Sequence, residues 1–409
     1  MMQPGDTVTV ETDLRVMPMD RRFSVTAATV LGIVPVLVFI IQPGYVQGLV
    51  DLLGLTGSQA GYVASAEMTG YAATVIALSF LSHRLPWWPM LIGFVLVEAL
   101  GNAACIFGKD PWFLATARFV AGLGAGGLSS LAFTAIGMTR NPDREFGFFI
   151  MWILGYGAVG LFGLPSLFDA VGMRGFHMLV VAVTLASLVF VPFMPKAAGS
   201  HLEEHHDVPS LPRLGRWAAI VSIFLFFLGC GILWAYISLI GDVRNLGKQA
   251  VANALSLSQI TGVAGALMAG IVGARFGRKL PLGGSILVCA GSTAAIGMVD
   301  AHAALLFASM VCLFNFAWNV AQPVYLSAAA AFDNEGRLVP QMVASQSCGL
   351  AAGPFVGAVL GGERDVMLLI VVVAALFLCA AVSIALLFRL AGLMAIRGAS
   401  EGGAQAAVL

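Results

Sequence analysis

Three ionisable side chains, Glu67, Glu98 and Arg118, stand inside long apolar stretches of the 409-residue sequence. A charged group at the centre of a bilayer costs at least ~2.5–3.5 kcal/mol on insertion scales, so each one calls for a partner or a role. Burial favours the neutral form of a carboxyl group, whereas a nearby guanidinium favours the charged form. A glutamate whose exposure alternates can therefore bind and release a proton. We predict that these three residues form a proton-coupling group.

Glu67 is the first candidate within this group, and the alternative is that it only hydrogen-bonds a neighbouring helix and never titrates. Arg118 stays charged even when it is desolvated, so it requires an acid or an anionic substrate. Glu67 and Glu98 are both available as that acid, and a purely structural ion pair is the alternative. Glu98 and Asn102 are spaced to share one helical face.

The composition places these residues in a membrane protein. Hydrophobic residues make up 59% of the chain and charged residues 10%, with a mean hydropathy of +0.93, whereas soluble domains carry roughly a quarter charged residues. The 48 glycines and 17 prolines are tolerated in bilayer helices, where neighbouring helices satisfy freed carbonyl groups. The apolar runs are continuous rather than alternating, which argues against a β-barrel. The sequence predicts an all-α integral membrane protein.

Other classes of function find little support. Basic and acidic residues number 21 each, so nothing indicates a nucleic-acid partner. The six cysteines lack CxxC spacing, so we predict neither a metal site nor a cofactor. The catalytic fingerprints HExxH, GxSxG and the P-loop are missing from the sequence, so we predict no enzymatic activity. A non-transporting membrane sensor or enzyme is kept as a distant alternative.

Twelve apolar stretches reach the length of about 20 residues that one membrane crossing needs. Basic residues in the connections on the side of the N-terminus outnumber those on the other side by about three to one, which predicts that both termini are cytoplasmic. The predicted spans are 24–48, 58–81, 88–107, 112–138, 146–168, 175–194, 217–240, 249–273, 280–298, 302–329, 340–361 and 366–388.

One long polar connection divides these spans six and six. It carries histidines and carboxylates, which are typical of a solvated linker, with metal chelation as the alternative. The predicted organisation is a cytoplasmic tail (1–23), a six-helix bundle (24–195), a cytoplasmic linker (196–216), a second six-helix bundle (217–390) and a cytoplasmic tail (391–409).

The two predicted bundles show weak similarity at a separation of about 190 residues, as duplication of one bundle would produce. The stretch 57–60 (GSQA) matches 247–250 (GKQA), and 67–70 (EMTG) matches 259–262 (QITG). Arg84 after the second span stands opposite Arg275 after the eighth. The halves therefore share a polar position at Glu67 and Gln259, but only Glu67 can carry a proton.

Three motifs resemble those of the major facilitator superfamily. The stretch 270–279 (GIVGARFGRK) resembles the loop signature of that family, G-x-x-x-D-R-x-G-R-K, with Ala274 in place of Asp. The corresponding loop in the first half keeps few residues of this signature. The stretch 118–126 (RFVAGLGAG) is similar to R-x-x-x-G-x-G-x-G, and 349–357 (GLAAGPFVG) resembles G-x-x-x-G-P-x-x-G. The resemblance implies twelve helices in two pseudo-symmetric halves, and it implies gating or motif roles for Arg84, Gly122, Gly126, Gly270, Arg275, Gly277, Arg278, Lys279, Gly353 and Pro354.

The same resemblance implies that Arg118 transfers protons or bridges substrate and carboxylate, and that aromatic and amide residues line a central cavity. Asn315, Trp318, Asn319 and Gln322 form one stripe along a helix, which should face the cavity or another helix. Each Trp or Tyr could instead be an interfacial anchor. The candidate substrate-binding residues are Gln42, Tyr45, Trp152, Tyr156, Trp234, Tyr236, Gln259, Asn315, Trp318, Asn319, Gln322 and Tyr325.

The resemblance and the residues together predict a secondary active transporter of a small amphipathic or aromatic organic solute, working by alternating access and coupled to protons. Export is favoured, and proton-coupled uptake of an organic anion is the alternative. The expected location is the plasma (inner) membrane, the expected partners are the solute, protons and lipid, and the expected state is a monomer. Prolines after Gln42 and Gln322 predict breaks in spans one and ten.

Overall fold

A computed structural model describes residues 22–81, 86–139, 141–196, 213–300, 303–331 and 338–401. In these ranges the secondary structure is helical and contains no β-strand, which confirms the predicted all-α class. We call residues 22–196 the first segment and residues 213–401 the second segment. The predicted linker and the predicted N-terminal tail lie largely outside the described residues, as do residues 402–409 of the predicted C-terminal tail, so the division into domains stays a prediction.

The described helices of the first segment are α1 (Arg22–Ile33), α2 (Leu37–Ile40), α3 (Gln42–Leu53), α4 (Gly57–Leu81), α5 (Trp87–Ala104), α6 (Pro111–Gly137) and α7 (Pro142–Ala186). Those of the second segment are α8 (Arg213–Val243), α9 (Lys248–Phe276), α10 (Lys279–Gly297), α11 (Ala304–Ala330), α12 (Leu338–Val359) and α13 (Val366–Glu401). The last helix continues into the region predicted as the C-terminal tail.

Ten of the described helices are long and apolar enough to cross a membrane. One of these stretches, Arg144–Phe193, has 50 residues, whereas one crossing needs about 20. Its helix α7 is interrupted at Gly172, where φ is +63° and ψ is −173°, a backbone conformation that glycine adopts without steric cost. Helix α4, with 25 residues, lies outside the ten. The described chain thus holds ten to twelve membrane helices, and the number twelve stays a prediction.

Proline residues break the first apolar stretch as the sequence predicts. Helix α2 ends at Ile40, and Pro43 occupies the first turn of α3, where its missing N–H is not needed. A short 3₁₀ stretch around Pro35 precedes α2. The second predicted break is wrong, because α11 runs without interruption through Pro323. Bilayer helices tolerate an internal proline when the surrounding protein satisfies the freed carbonyl group.

Helix α6 is the central element of the first segment and packs closely between α4 and α5. Its start is set by Asp110, whose carboxylate accepts hydrogen bonds from the backbone N–H groups of Trp112 and Phe113 at 3.1 and 2.9 Å, as an N-cap residue does. A side chain at Gly122 would overlap the backbone carbonyl of Glu67, and one at Gly126 would overlap that of Tyr71. These glycines allow α4 and α6 to approach closely, which small residues do in membrane bundles.

The two segments touch along one end of the bundle, where α3 joins α4, α8 joins α9 and α12 leads to α13. Ser58 Oγ donates to the Ala358 carbonyl at 2.9 Å, and Lys248 Nζ lies 2.7 Å from Asp51 Oδ2. Nearer the middle of the helices, Ser65 Oγ donates to the Ala351 carbonyl at 2.6 Å. We call this end of the bundle the closed end. Among the described residues, the hydrogen bonds that join the two segments are found between the closed end and the middle of the helices.

Candidate functional site

The first candidate site is a buried polar cluster in the first segment, built around an ion pair. Arg118 on α6 pairs through Nη2 with Oε1 of Glu67 on α4, and the two side chains are 0% and 4% exposed. Helix α6 can hold Arg118 against α4 because Gly122, one turn further on, packs on the backbone of Glu67 itself. The structure therefore brings together two of the three predicted proton-coupling residues.

Helix α5 supplies the third predicted residue and an amide. Arg118 Nη1 donates to Asn102 Oδ1 at 2.5 Å, and Asn102 Nδ2 donates to the backbone carbonyl of Glu98 at 3.0 Å. Glu98 is 3% exposed, and its Oε2 has no hydrogen-bond partner, while its carboxyl lies within electrostatic range of both Arg118 and Glu67. One guanidinium thus pairs with one buried carboxyl group and lies within electrostatic range of a second, so these three groups together are electrically neutral when one carboxyl carries a proton.

Two aromatic rings complete the cluster. The guanidinium carbon of Arg118 lies 5.3 Å from the centroid of the Tyr45 ring, a cation–π distance. The Tyr45 hydroxyl lies 3.4 Å from Nε2 of His177, whose Nδ1 has no partner. Tyr45 was predicted as a substrate residue, whereas His177 was missed by the sequence reasoning. The available signal was an ionisable residue in the apolar stretch that follows Gly172.

Gln42 lies on α3, three residues before Tyr45. It is 1% exposed, and both its amide nitrogen and its amide oxygen lack hydrogen-bond partners. A buried amide without hydrogen-bond partners costs free energy. A polar group of a bound solute, or of another conformational state, would supply the missing partners of Gln42. Gln42 is therefore kept as a substrate candidate.

A second candidate site lies where the segments meet, around Trp234 on α8 and Trp318 on α11. Their ring centroids are 6.0 Å apart at an interplanar angle of 75°, an edge-to-face arrangement. Trp234 Nε1 donates to the backbone carbonyl of Phe39 at 3.3 Å. That carbonyl lacks its usual helical donor because the residue four positions on is Pro43. Trp318 is half-buried, and its Nε1 has no partner.

Replacing Trp234 with phenylalanine is expected to lower the free energy of unfolding by ~0.5–1.5 kcal/mol, because the Phe39 carbonyl loses its side-chain donor. The matched control is Trp217→Phe, since Trp217 is 63% exposed. Thermal denaturation of both variants in the same detergent measures the difference. Equal midpoints for the two variants would contradict the assigned hydrogen bond.

Asn315 and Asn319 of the predicted α11 stripe face another helix, α9, which is one of the two predicted alternatives. Asn315 Nδ2 donates to Ser258 Oγ on α9 at 3.0 Å, and Asn319 Nδ2 donates to Asn315 Oδ1 at 2.7 Å. Gln322 is half-buried. Gln259 is 2% exposed and lies against Gly157, with its Oε1 lacking a partner. Of these four amides, Gln259 keeps a free acceptor in the contact between the segments.

The remaining predicted substrate residues do not join either group. The Tyr325 hydroxyl lies 2.8 Å from Ser222 Oγ inside the second segment, and the Tyr236 hydroxyl donates to the carbonyls of Gly57 and Pro354 at 3.1 and 3.3 Å. Tyr156 packs against the main hydrophobic core. Trp152 is 60% exposed, which fits the alternative of an interfacial anchor. Tyr236 thus links the segments at the closed end.

The predicted loop motif is described in part. Gly277 has φ +68° after the end of α9, and Arg278 Nε donates to Ser327 Oγ at 2.9 Å, which ties this loop to α11. Lys279 begins α10. Arg84 lies outside the described residues, and for Gly270 and Arg275 the structure describes only the helical backbone. In the third motif, Gly353 packs against the backbone of Gly231, 2.6 Å from where a Cβ would lie.

Comparisons with known proteins agree with this architecture. The niacin transporter NiaP of Acinetobacter baylyi is 25% identical over 321 residues, which cover 66% of this chain and 72% of that protein. The gentisate transporter of Corynebacterium glutamicum is 34% identical over 74 residues, which cover 18% of this chain and 17% of that protein. A crystal structure of the nucleoside transporter NupG superposes with a TM-score of 0.71 at 12% identity, covering 89% of this chain and 99% of that one.

The last of these likenesses shows the fold alone. The family itself is shown by the sequence. The sequence model of the Major Facilitator Superfamily matches residues 27–338, which is most of the chain. The match confirms the predicted family and the absence of an enzymatic role. It also fits the ten or more apolar helices of the described chain. This chain therefore belongs to the Major Facilitator Superfamily and is a multi-pass membrane transporter.

Proposed function

We propose that this transporter moves a small aromatic organic solute by alternating access and couples that movement to protons. The observation that carries the proposal is the buried Arg118–Glu67 ion pair, with the second carboxyl of Glu98 within its electrostatic range. The cluster and the Trp234–Trp318 pair lie in different segments, so a motion of one segment against the other changes the surroundings of both.

The proton-coupling part rests on charge. A buried ion pair contributes little net stability, because the cost of desolvating both partners offsets their attraction. A structural pair would need one acid, yet α4 and α5 each supply one to Arg118. Two carboxyl groups beside one guanidinium have the lowest free energy when one of the two carboxyl groups is protonated. Glu67 and Glu98 then compete for Arg118, and the one that is released takes the proton.

The solute part rests on two supports. The half-buried Trp318 packs edge-to-face on the buried Trp234 where the segments meet, and the acceptor of Gln259 is unpartnered in the same contact region. Niacin and gentisate, which the names of the two relatives give as their solutes, are both aromatic rings that carry a carboxylate. An aromatic solute ring that packs on Trp318 gains about 0.5–1.5 kcal/mol for each favourable ring pair beyond the burial of area.

The direction of transport is export in this proposal, as the sequence favours. Proton-coupled uptake of an organic anion is the second candidate, and the carboxylates in the solutes of both relatives favour it. We place the protein in the plasma membrane as a monomer, with both termini in the cytoplasm. With that orientation the closed end faces outward, so the structure corresponds to a state whose outer side is shut.

Purified protein in liposomes, supplied with radiolabelled niacin or gentisate, tests the solute. We expect counterflow above that of protein-free liposomes for at least one of the two acids. Trp318→Leu is expected to raise KM about two- to twelve-fold, as the loss of one aromatic pair implies, whereas Trp217→Leu on the exposed surface leaves KM unchanged. Transport of non-aromatic solutes with neither acid moved would contradict the assignment. Imposing a pH gradient of either sign distinguishes export from uptake.

A further inference from the structure

A cleft opens at the closed end of the bundle, between α3, α7, α8 and α9, with a volume of about 260 Å³. It is distinct from both sites described above, because neither Arg118 nor Trp318 lines it. Its walls are apolar, formed mainly by Leu161, Leu164, Phe168 and Leu255. Its mouth is polar, and Lys248 at that mouth is 58% exposed. A small organic molecule therefore fits its size, with an apolar part inward and a polar group at the mouth.

The charge at the mouth is strongly unbalanced. Asp51, Asp169 and Asp242 line it together with a single cation, Lys248. The ammonium of Lys248 is paired with Asp51 at 2.7 Å, and all three carboxylates act on it electrostatically. Two negative charges are thus left uncompensated by the lining residues. Such a mouth attracts a cation and repels an organic anion.

Gln47 adds an independent feature that also points to a ligand. Its Nε2 donates to Asp51 Oδ1 at 3.1 Å and to Asp242 Oδ2 at 3.4 Å. These two bonds fix which end of the amide is nitrogen, since the opposite assignment would aim an oxygen at two carboxylates. Gln47 is one of the residues that line the cleft and is only 9% exposed, and its buried Oε1 has no hydrogen-bond partner. The cleft therefore contains a buried acceptor that lacks a donor.

We propose that this cleft is a second binding site, for a small amphipathic amine in its cationic form. The ammonium group donates to Gln47 Oε1 and lies beside the carboxylate of Asp242, while the apolar part packs between Leu161 and Leu255. A metal ion fits less well, because the described residues contain no group of three metal-ligating side chains and the walls are apolar. The site faces the closed end, so it is reached without passage through the solute site.

Equilibrium binding of 2-phenylethylamine to the purified full-length protein in detergent tests this site. The probes for comparison are 2-phenylethanol, a neutral analogue of the same shape, and 3-phenylpropionate, an anion. We expect the amine to bind, the alcohol to bind at least about five-fold more weakly, and the anion not to bind. Amine binding should weaken as ionic strength rises, because the carboxylates at the mouth are exposed.

Variants assign the binding to the cleft. Asp169→Asn and Asp242→Asn are each expected to weaken amine binding about three-fold, the size of one exposed charge interaction. The matched control is Asp300→Asn, an exposed aspartate outside the cleft, which should leave binding unchanged. Trp318→Leu should also leave it unchanged. Equal binding of amine and alcohol, unchanged binding in the Asp169→Asn/Asp242→Asn double variant, or loss of binding in Trp318→Leu would each overturn the proposal.

Discussion

Replacing Arg118 with methionine is expected to lower the free energy of unfolding by ~3–5 kcal/mol and to abolish transport. The change removes the guanidinium that pairs with Glu67 and lies within electrostatic range of Glu98, and truncating one partner of a buried ion pair leaves its opposite charge uncompensated. It also removes the cation above the Tyr45 ring. Reversible unfolding in mixed detergent micelles measures the stability, and Arg174→Met, at an exposed position, is the control.

A double variant, Arg118→Met with Glu67→Met, separates a structural role of the pair from a functional one. Exchanging both partners of a buried ion pair for apolar side chains is often neutral or stabilising, so most of the lost stability should return. Transport should not return, because Glu98 is left without the guanidinium and the second carboxyl group with which it exchanges the proton. A double variant that regained both stability and proton-coupled transport would show that the pair is purely structural.

Substitution of Gly122 by alanine is the other change with a large expected effect. The new methyl group would overlap the backbone carbonyl of Glu67, and a backbone atom cannot move aside as a flexible side chain can. Helices α4 and α6 must separate, at a cost of about 1–3 kcal/mol for overpacking. The same displacement pulls Glu67 from Arg118, so transport should fall together with stability.

Gly155→Ala is the matched control for this prediction, because a Cβ at Gly155 meets no atom within 4 Å. Thermal denaturation and counterflow, measured on both alanine variants, compare a close helix contact with an open position in the same bundle. If Gly122→Ala were as stable and as active as Gly155→Ala, the close contact between α4 and α6 would not exist.

The sequence predicts the fold class and the ion pair for physical reasons that hold without a structure. Apolar stretches of about 20 residues have few uses other than crossing a bilayer, and a charge within such a stretch is costly enough to require a partner. Glu67 and Arg118 are the charges that meet these conditions most clearly. Their pairing was one of the alternatives for Arg118, since Glu98 and an anionic substrate were also candidates.

The rest of the cluster depends on tertiary contacts that no local pattern contains. His177 lies 132 positions from Tyr45, and helical spacing says nothing about a neighbour on another helix. The spacing of Asn315 and Asn319 predicts one shared face, but only the packing shows that this face lies against α9. In the same way Pro43 predicts a broken helix, while the donor to the freed carbonyl, Trp234, comes from the other segment.

The central claim is that the Glu67–Arg118 cluster couples proton movement to solute transport. Measuring proton movement during solute transport tests this claim most directly. Liposomes that contain a pH-sensitive dye and the wild-type protein should change their internal pH when a transported aromatic acid is added. Glu67→Gln should lose that change, whereas Glu145→Gln, which alters a glutamate outside the cluster beside Arg144, should keep it. Glu67→Gln protein that moved the solute with the same pH change as wild type would contradict the account.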